Sequence, residues 1–283
     1  MTKLNYRIHW VDDTPEWVDS VRGPIERDYA DSEIALGIVT EENGNEIEAQ
    51  LLVAPIDLVV LDYNLPDKTG IELIRQIRGG GNLTEIVFYS QDNTKQSEFA
   101  NWDGVHSCLR DEADAKLRSV IDRFIDRTKN VAILRGMIIS EAIDCENYLT
   151  EIILKLFGDR SDIFQEKILN KAYLDFEKKR MFVTSVLNDK RKSLQGHGAD
   201  QNTLSNVDAC IGCIGQMKSE IVDQRNILAH SAKSVGEDGI LTLKGLKGKG
   251  AGITFDNTWK NTIRENIRKH LTNLQKISVI LSE

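Results

Sequence analysis

Residues 58–78 read LVVLDYNLPDKTGIELIRQIR, and this stretch decides the fold of the first half of the chain. Its opening run, DLVVL at residues 57–61, is continuously apolar after the first aspartate, which is typical of a strand buried on both faces of a parallel sheet. Asp62 follows at once. Residues 68–78 then have the pattern of a helix that ends at three consecutive glycines, a strong stop signal. A buried strand, a turn and a helix together indicate an α/β fold.

The same alternation extends to both sides of this stretch. Further strand-like runs occupy residues 4–11, 34–39, 85–89 and 105–109, and helical patterns occupy residues 15–28, 42–53, 111–128 and, more weakly, 99–102. Five strands separated by helices within about 128 residues predict a doubly wound, five-stranded parallel sheet.

Three carboxylates are expected to meet at one edge of this sheet. Asp12 and Asp13 come where the first strand ends, and Asp62 comes where the third strand ends. Adjacent parallel strands deliver such ends to one crevice. Phosphoryl transfer to a carboxylate needs an exposed acceptor and a divalent cation held by oxygen ligands, and this arrangement supplies both. Mg²⁺ is the cation that prefers a few carboxylates, a carbonyl and water.

These motifs resemble those of response-regulator receiver domains. HWVDDTPE at residues 9–16 is similar to the acidic-pair motif, residues 58–78 to the phosphoacceptor motif, and FYSQD at residues 88–92 to the segment with the switch Ser or Thr. The resemblance implies that Asp62 accepts a phosphoryl group from a sensor histidine kinase or a small phosphodonor. It further implies that Mg²⁺ is held by Asp12, Asp13, Asp62 and the main-chain carbonyl of Asn64, and that Ser90 is a switch residue.

One segment departs from the family pattern. Receivers usually carry a Lys followed by Pro after the fifth strand, and an aromatic switch residue within it. Here the region reads GVHSCLRDEA at residues 104–113, and the nearest cation is Arg110, one residue out of register. An Arg fork can pair with phosphoryl oxygens, so Arg110 is the predicted second switch residue. A degenerate receiver that does not take phosphate is the alternative.

The second half of the chain has no further strand–helix alternation. Helical patterns cover residues 131–156, 163–194, 207–232 and 259–281, and the glycine-rich residues 236–255 predict a β-hairpin. We therefore expect two domains, residues 1–128 and 129–283, the second a helical bundle with a small hairpin. The boundary is either one helix that continues through it or two helices with a tight joint at Lys129-Asn130.

Composition narrows the class of protein further. The two predicted domains carry net charges of −12 and +4, which sum to the −8 of the chain; the basic second half is a weak hint of nucleic-acid binding. We find no helix-turn-helix spacing and so expect no DNA binding.

No apolar run approaches the ~18 residues of a membrane helix, and the N-terminus does not resemble a signal peptide, so a cytoplasmic protein is expected. Cys210 and Cys213 are interpreted as small core residues, with a redox or metal role as the alternative.

The segment RNILAH at residues 225–230 is the most informative part of the second domain. Arg225 falls on an otherwise apolar helical stripe, where a charged side chain needs a partner or a chemical role. One interpretation is an ion pair with a carboxylate such as Glu141 or Asp144. The other is that the segment resembles the Arg-x4-His motif of the HEPN superfamily, small helical domains many of which are metal-independent ribonucleases.

The HEPN resemblance implies an endoribonuclease that needs no cofactor, with Arg225 and His230 catalytic and Asn226 assisting. His moves the proton of the ribose 2′-hydroxyl and Arg stabilises the scissile phosphate. Five residues turn a regular helix by about 140°, so the two side chains meet only if the helix frays near Ala229 or a homodimer supplies two motifs. Lys244, Lys247 and Lys249 are weaker predicted RNA contacts. The alternative is a non-enzymatic response regulator whose helical domain binds a protein or RNA partner.

Overall fold

The computed structural model describes residues 2–53, 56–92, 94, 99, 102–169, 173–235, 241–245 and 253–282. The chain forms two compact units, Met1–Leu134 and Arg135–Glu283. No helix within the described ranges is both long enough and apolar enough to cross a membrane.

The first unit is built on one parallel sheet. Its elements are β1 (Leu4–Val11), α1 (Pro15–Asp28), β2 (Ile34–Glu41), α2 (Ile47–Val53), β3 (Leu58–Asp62), α3 (Gly70–Gly79), β4 (Glu85–Ser90), β5 (Val105–Leu109) and α4 (Ala113–Lys129). The strand order is β2-β1-β3-β4-β5, with every neighbouring pair parallel. The predicted doubly wound, five-stranded sheet is confirmed. The weak helix predicted at residues 99–102 lies largely outside the described residues.

The central strand is buried along its whole length. All five residues of β3 are buried, as its apolar sequence predicted. It packs into a cluster that includes Ile74 of α3 and Phe88 of β4. Both faces of β3 are therefore covered, and Asp62 lies at the carboxyl end of the strand.

Local capping explains where α3 begins. Thr69 precedes the helix, its hydroxyl accepts a hydrogen bond from the amide of Glu72 at 3.3 Å, and the Glu72 carboxylate accepts one from the Thr69 amide at 2.7 Å. This reciprocal capping box satisfies two helix-end donors. By contrast, α2 begins at Ile47 and not at residue 42 as predicted, because Gly44 adopts a positive φ of 70° that interrupts any helix there.

The chain makes a tight joint at Asn130. Helix α4 ends at Lys129, Asn130 leaves the helical conformation (φ −91°, ψ 106°), and α5 (Val131–Phe157) begins directly after it. The Asn130 side chain accepts a hydrogen bond from the amide of Ala132 at 3.0 Å, as a helix N-cap does. Of the two alternatives, two helices with a tight joint is the one observed.

The second unit is mostly helical. After α5 come α6 (Ser161–Lys167), α7 (Phe176–Gly196), α8 (Gln201–Met217), α9 (Asp223–His230), the strands β6 (Ser231–Val235), β7 (Leu241–Gly245) and β8 (Ile253–Thr254), and α10 (Asn257–Ser282). A π-helical turn, Lys218–Val222, joins α8 to α9. The strands form an antiparallel sheet in the order β6-β7-β8, so the predicted hairpin is confirmed. Strand β6 was not expected, since residues 231 and 232 were assigned to the preceding helix.

The core of the second unit is largely apolar and contains an ion pair between α5 and α10. Leu149 and Ile153 of α5 and Leu274 and Ile277 of α10 are fully buried. Arg264 of α10 is 5 % exposed, and its Nε lies 3.0 Å from the Glu141 carboxylate. A buried cation of this kind requires such a partner, because an unpaired one would carry the whole desolvation penalty.

Gly70 offers a test of how closely α3 approaches β3. A Cβ at this position would overlap the carbonyl oxygen of Asp62 and lie 3.1 Å from the Phe88 ring. We expect Gly70→Ala to lower the free energy of unfolding by about 1–3 kcal/mol, measured by urea denaturation. Gly79→Ala is the matched control: a Cβ there meets nothing within 4 Å, so the change should be neutral or slightly stabilising. Equal stability of both variants would contradict the close approach.

Candidate functional site

Three carboxylates meet at the carboxyl edge of the parallel sheet. Asp12 and Asp13 follow β1, and Asp62 is the last residue of the neighbouring strand β3. Each residue offers a ligand oxygen within 4.8 Å of the others, a grouping that could hold a metal ion. The juxtaposition expected from the sequence is therefore present in the fold.

The local environment makes ionisation of Asp62 unfavourable. Asp62 is 2 % exposed and Asp12 is equally buried, whereas Asp13 is exposed. Burial, and then the charge of Asp12, raises the pKa of Asp62 to about 6, against the opposing effects of Arg110 and the Asn64 amide. A divalent cation between these oxygens would relieve the repulsion, which is the electrostatic situation that Mg²⁺ sites exploit.

The turn after β3 is held by its own backbone. The amide of Asn64 donates to Oδ2 of Asp62 at 3.1 Å, and Asn64 pairs with Thr69 in an isolated antiparallel bridge. The amide of Gly70 donates to the Tyr63 carbonyl at 2.9 Å. These bonds restrict the backbone at Asn64, the residue whose carbonyl was predicted as a metal ligand.

Arg110 reaches the acidic cluster from the turn that follows β5. Its Nη2 lies 3.4 Å from both carboxylate oxygens of Asp12, and its guanidinium carbon lies 4.5 Å from the centre of the Trp17 ring. An aromatic face attracts a guanidinium and limits its orientation. Arg110 therefore lies beside the acidic cluster, and its role as a switch residue stays a prediction.

Sequence reasoning missed Tyr89, Trp10 and Trp17. The Tyr89 hydroxyl donates to Oδ2 of Asp12 and accepts a hydrogen bond from Trp10 Nε1 at 2.9 Å. The Trp17 ring centre lies 4.8 Å from that of Tyr89. Burial, and then the negative charge of Asp12, holds the pKa of Tyr89 far above its usual range, so the hydroxyl is a fixed donor. The available signal was that buried Tyr and Trp side chains usually need a polar partner.

Ser90 ends β4 beside the acidic cluster. It is buried, and its hydroxyl accepts a hydrogen bond from the amide of Asp92 at 3.0 Å. The preceding residue, Tyr89, is paired in the sheet with Asp62. Ser90 therefore follows directly after the residue aligned with Asp62, at the strand end where a switch residue was predicted.

The predicted catalytic residues of the second unit lie along α9. Arg225 is half-buried, its Nη1 donates to Asn226 Oδ1 at 3.2 Å, and its buried Nε has no hydrogen-bond partner among the described residues. Asn226 and His230 are exposed. Helix α9 continues without interruption to His230, so it does not fray at Ala229, and a regular helix places residues 225 and 230 about 140° apart.

Two other predictions concern the second unit. The ion pair of Arg225 with Glu141 or Asp144 is wrong: Glu141 pairs with Arg264, and Asp144 is exposed. Of the predicted RNA contacts, Lys244 lies in β7 but its side chain is outside the described part of the chain, as are Lys247 and Lys249 entirely.

Because the Asp62 carboxylate is buried, replacing it with a neutral side chain should stabilise the protein, and the size of this gain should depend on pH. Folding raises the pKa of Asp62 from 3.8 to about 6, so the stability that this group contributes is lost as pH rises through that interval. In EDTA at pH 7, Asp62→Asn should raise the free energy of unfolding by about 1–3 kcal/mol, and the gain should vanish below about pH 4. Asp13→Asn, at an exposed carboxylate, should gain less. An Asp62→Asn variant less stable than the parent protein at pH 7 would contradict the argument.

Comparisons with known proteins find similarity in the first part of the chain. Residues 8–115 match the model of the response regulator receiver domain. The response regulator TrrA of Thermotoga maritima, solved in complex with Mg²⁺-BeF, is 23% identical with a TM-score of 0.34, over 41% of this chain and 98% of that one. The BeF3-activated N-terminal receiver domain of Klebsiella pneumoniae RstA is 22% identical with a TM-score of 0.35, over 42% and 97%. No curated protein sequence matches the chain significantly. Residues 8–115 are a response regulator receiver domain.

Proposed function

We propose that Asp62 accepts a phosphoryl group from a sensor histidine kinase or a small phosphodonor. The observation that supports this most directly is the approach of three carboxylates within 4.8 Å at the sheet edge, two of them buried. An Asp62 oxygen attacks the phosphorus, the bond from phosphorus to the donor's leaving atom breaks, and an acyl phosphate forms. Bound Mg²⁺ supplies charge neutralisation for the incoming phosphoryl oxygens.

The surrounding residues have distinct roles in this proposal. Asp12, Asp13, Asp62 and the Asn64 carbonyl hold the cation, and their oxygen donors suit Mg²⁺. Arg110, kept in place by the Trp17 ring, turns its fork from Asp12 to the phosphoryl oxygens. Ser90 donates its hydroxyl to the phosphoryl group and so reports its presence. Because residues 104–113 lack the usual lysine, Arg110 takes the cationic role in this proposal.

Phosphorylation is testable with the full chain. Incubation with acetyl phosphate and Mg²⁺ should add one phosphoryl group, measured by intact-protein mass spectrometry, and EDTA should abolish the addition. Asp62→Ala should remove it completely. Asp67→Ala, at an exposed carboxylate in the same turn, should leave it unchanged. A protein that takes no phosphoryl group from acetyl phosphate or from phosphoramidate would favour the degenerate receiver.

We further propose that the second unit is a HEPN-like effector, a metal-independent endoribonuclease controlled by the receiver. The support comes from RNILAH at residues 225–230, together with the buried, unpartnered Nε of Arg225 and the exposure of Asn226 and His230. An Arg with an unpartnered donor can bind a scissile phosphate, and an exposed His can transfer the 2′-hydroxyl proton.

A homodimer accounts for the separation of the two side chains. Since α9 is regular as far as His230, Arg225 and His230 of one chain point about 140° apart. Two copies related by a two-fold axis bring two motifs to one cleft, with Arg225 from one chain near His230 of the other. Phosphorylation at Asp62 would control cleavage by changing this assembly.

Cleavage of RNA by the purified protein tests the effector proposal. His230→Ala and Arg225→Ala should each lower cleavage of total tRNA by about 100-fold or more. His197→Ala and Arg268→Ala, at exposed positions of the same unit, are matched controls that should retain activity. Beryllofluoride with Mg²⁺ should change the rate if the receiver controls the effector.

The melting temperature separates this proposal from a partner-binding regulator. The observation that favours the alternative is that Arg225 is half-buried and so could be a structural cation. If Arg225→Ala lowers the melting temperature by more than about 4 °C and no RNA is cleaved with or without beryllofluoride, the second unit is better explained as a non-enzymatic domain that binds a protein or RNA partner.

A further inference from the structure

A thiol on α8, an imidazole on α10 and a carboxylate on the π-helical turn Lys218–Val222 contact one another in series, separately from the acidic cluster and from the segment RNILAH. Cys213 Sγ lies 3.7 Å from Nδ1 of His270, and His270 Nε2 lies 2.8 Å from Oε2 of Glu220. The order is that of a nucleophile, a base and the group that orients the base. Both nitrogens of a fully buried histidine are therefore occupied by side chains that suit this chemistry.

The carboxylate decides which nitrogen of His270 carries the proton. An ionised carboxylate only accepts hydrogen bonds, so His270 Nε2 is the donor to Glu220. Burial, more than any other cause, lowers the pKa of His270, which keeps the ring neutral with a single N–H. The lone pair of Nδ1 consequently faces the Cys213 thiol. Lys269 keeps Glu220 in place, since its Nζ lies 2.7 Å from the same carboxylate oxygen.

Cys213 differs from the other three cysteines in its access to solvent. Cys108, Cys145 and Cys210 are buried, whereas Cys213 is partly exposed. On an α-helix the nearest neighbours of a side chain lie three and four residues away, and of those around Cys213 the exposed ones are Ala209 and Gln216. A small molecule can approach the sulfur from this side of the helix.

We propose that Cys213 is a redox modification site at which a hydroperoxide oxidises the thiol to a sulfenic acid, with His270 as the base and Glu220 as its positioning residue. The thiol proton moves to Nδ1 of His270, and the sulfur attacks the outer peroxide oxygen. The O–O bond breaks and the leaving oxygen takes the proton from His270. The sulfur loses two electrons, and the peroxide is reduced to water or an alcohol.

The need for a base follows from the surroundings of the thiol. Burial raises the pKa of Cys213, so the resting group is a protonated thiol and not a thiolate. Attack on peroxide requires the thiolate, which His270 generates at the moment of reaction. Glu220 lies in the π-helical turn before α9, and such turns recur at functional sites. This position is a second observation in favour of a chemical role for Glu220.

Cys210 does not compete for the product. It lies one turn before Cys213 on α8, where side chains three residues apart hold their Cβ atoms about 5–6 Å from each other. A disulfide requires about 3.8 Å. The sulfenic acid therefore persists long enough to react with an added trap. This inference is independent of phosphorylation at Asp62 and of RNA cleavage.

Trapping with dimedone tests the proposal in the full chain. Hydrogen peroxide and dimedone are added to the native protein, and peptide mass spectrometry follows the adduct at each cysteine. Cys213 should be labelled at least about 10-fold faster than the three buried thiols, and Cys213→Ser should remove this signal. Similar labelling of all four cysteines, or none at Cys213, would overturn the proposal.

Glu220→Gln separates base assistance from simple exposure. A glutamine amide can donate to Nε2, which lets the proton move to Nδ1 and removes the base from the thiol. Labelling of Cys213 should fall by about 10-fold or more, with the melting temperature preserved because Glu220 is 27% exposed. Glu265→Gln, an exposed carboxylate on α10, is the control and should not alter labelling. Unchanged labelling in Glu220→Gln would show that exposure alone explains the reactivity.

Discussion

The parallel pairing of β1 with β3 is the constraint on which the receiver site depends. The register aligns Val11 with Leu61, so the next residue on each strand is an aspartate, Asp12 on one and Asp62 on the other. Because β3 is buried on both faces, this register cannot slip without exposing its apolar residues. The two carboxylates are thus forced together by the packing of the sheet and not by any attraction between them.

That juxtaposition has an electrostatic cost, and the fold partly offsets it. Asp12 is surrounded by donors: the Thr14 amide at 2.7 Å, the Tyr89 hydroxyl, and Arg110. Asp62 receives fewer, which is why burial leaves its pKa raised. The difference divides the roles of the two acids. Asp12 is held in place by its donors, whereas Asp62 is held in an unfavourable state that a cation or a phosphoryl group would change.

The buried polar groups of the second unit differ in how fully their partners satisfy them. Arg264 and Glu141 satisfy one another and tie α10 to α5, which is the ordinary role of a buried ion pair. His270 also has its two nitrogens occupied, but one partner is a thiol that solvent can reach. Arg225 has a buried nitrogen without a partner among the described residues. Of these three, the Cys213–His270 pair and the Arg225 guanidinium are the groups that remain available for chemistry.

What the sequence determined by itself was local. The apolar run before Asp62 predicted β3, and a tight joint at Lys129-Asn130 was one of two predicted alternatives, because such signals depend on neighbours within a few residues. The capping box at Thr69 and the Asn130 cap were identified only in the structure. The acidic cluster was predictable too, since parallel strands deliver their ends to one edge. The end of α9 was not: residues 231 and 232 leave the helix pattern because they pair with β7.

Only the tertiary structure decided which distant side chains meet. Tyr89 and Asp12 are 77 residues apart in sequence, and Cys213 and His270 are 57 apart. In sequence Tyr89 and Cys213 look like ordinary core residues, because periodicity reports which face of an element is buried and not what covers that face. The partner is chosen by the packing of whole elements, and for that reason the hydrogen-bond network around Asp12 and the thiol site on α8 became visible only in the folded chain.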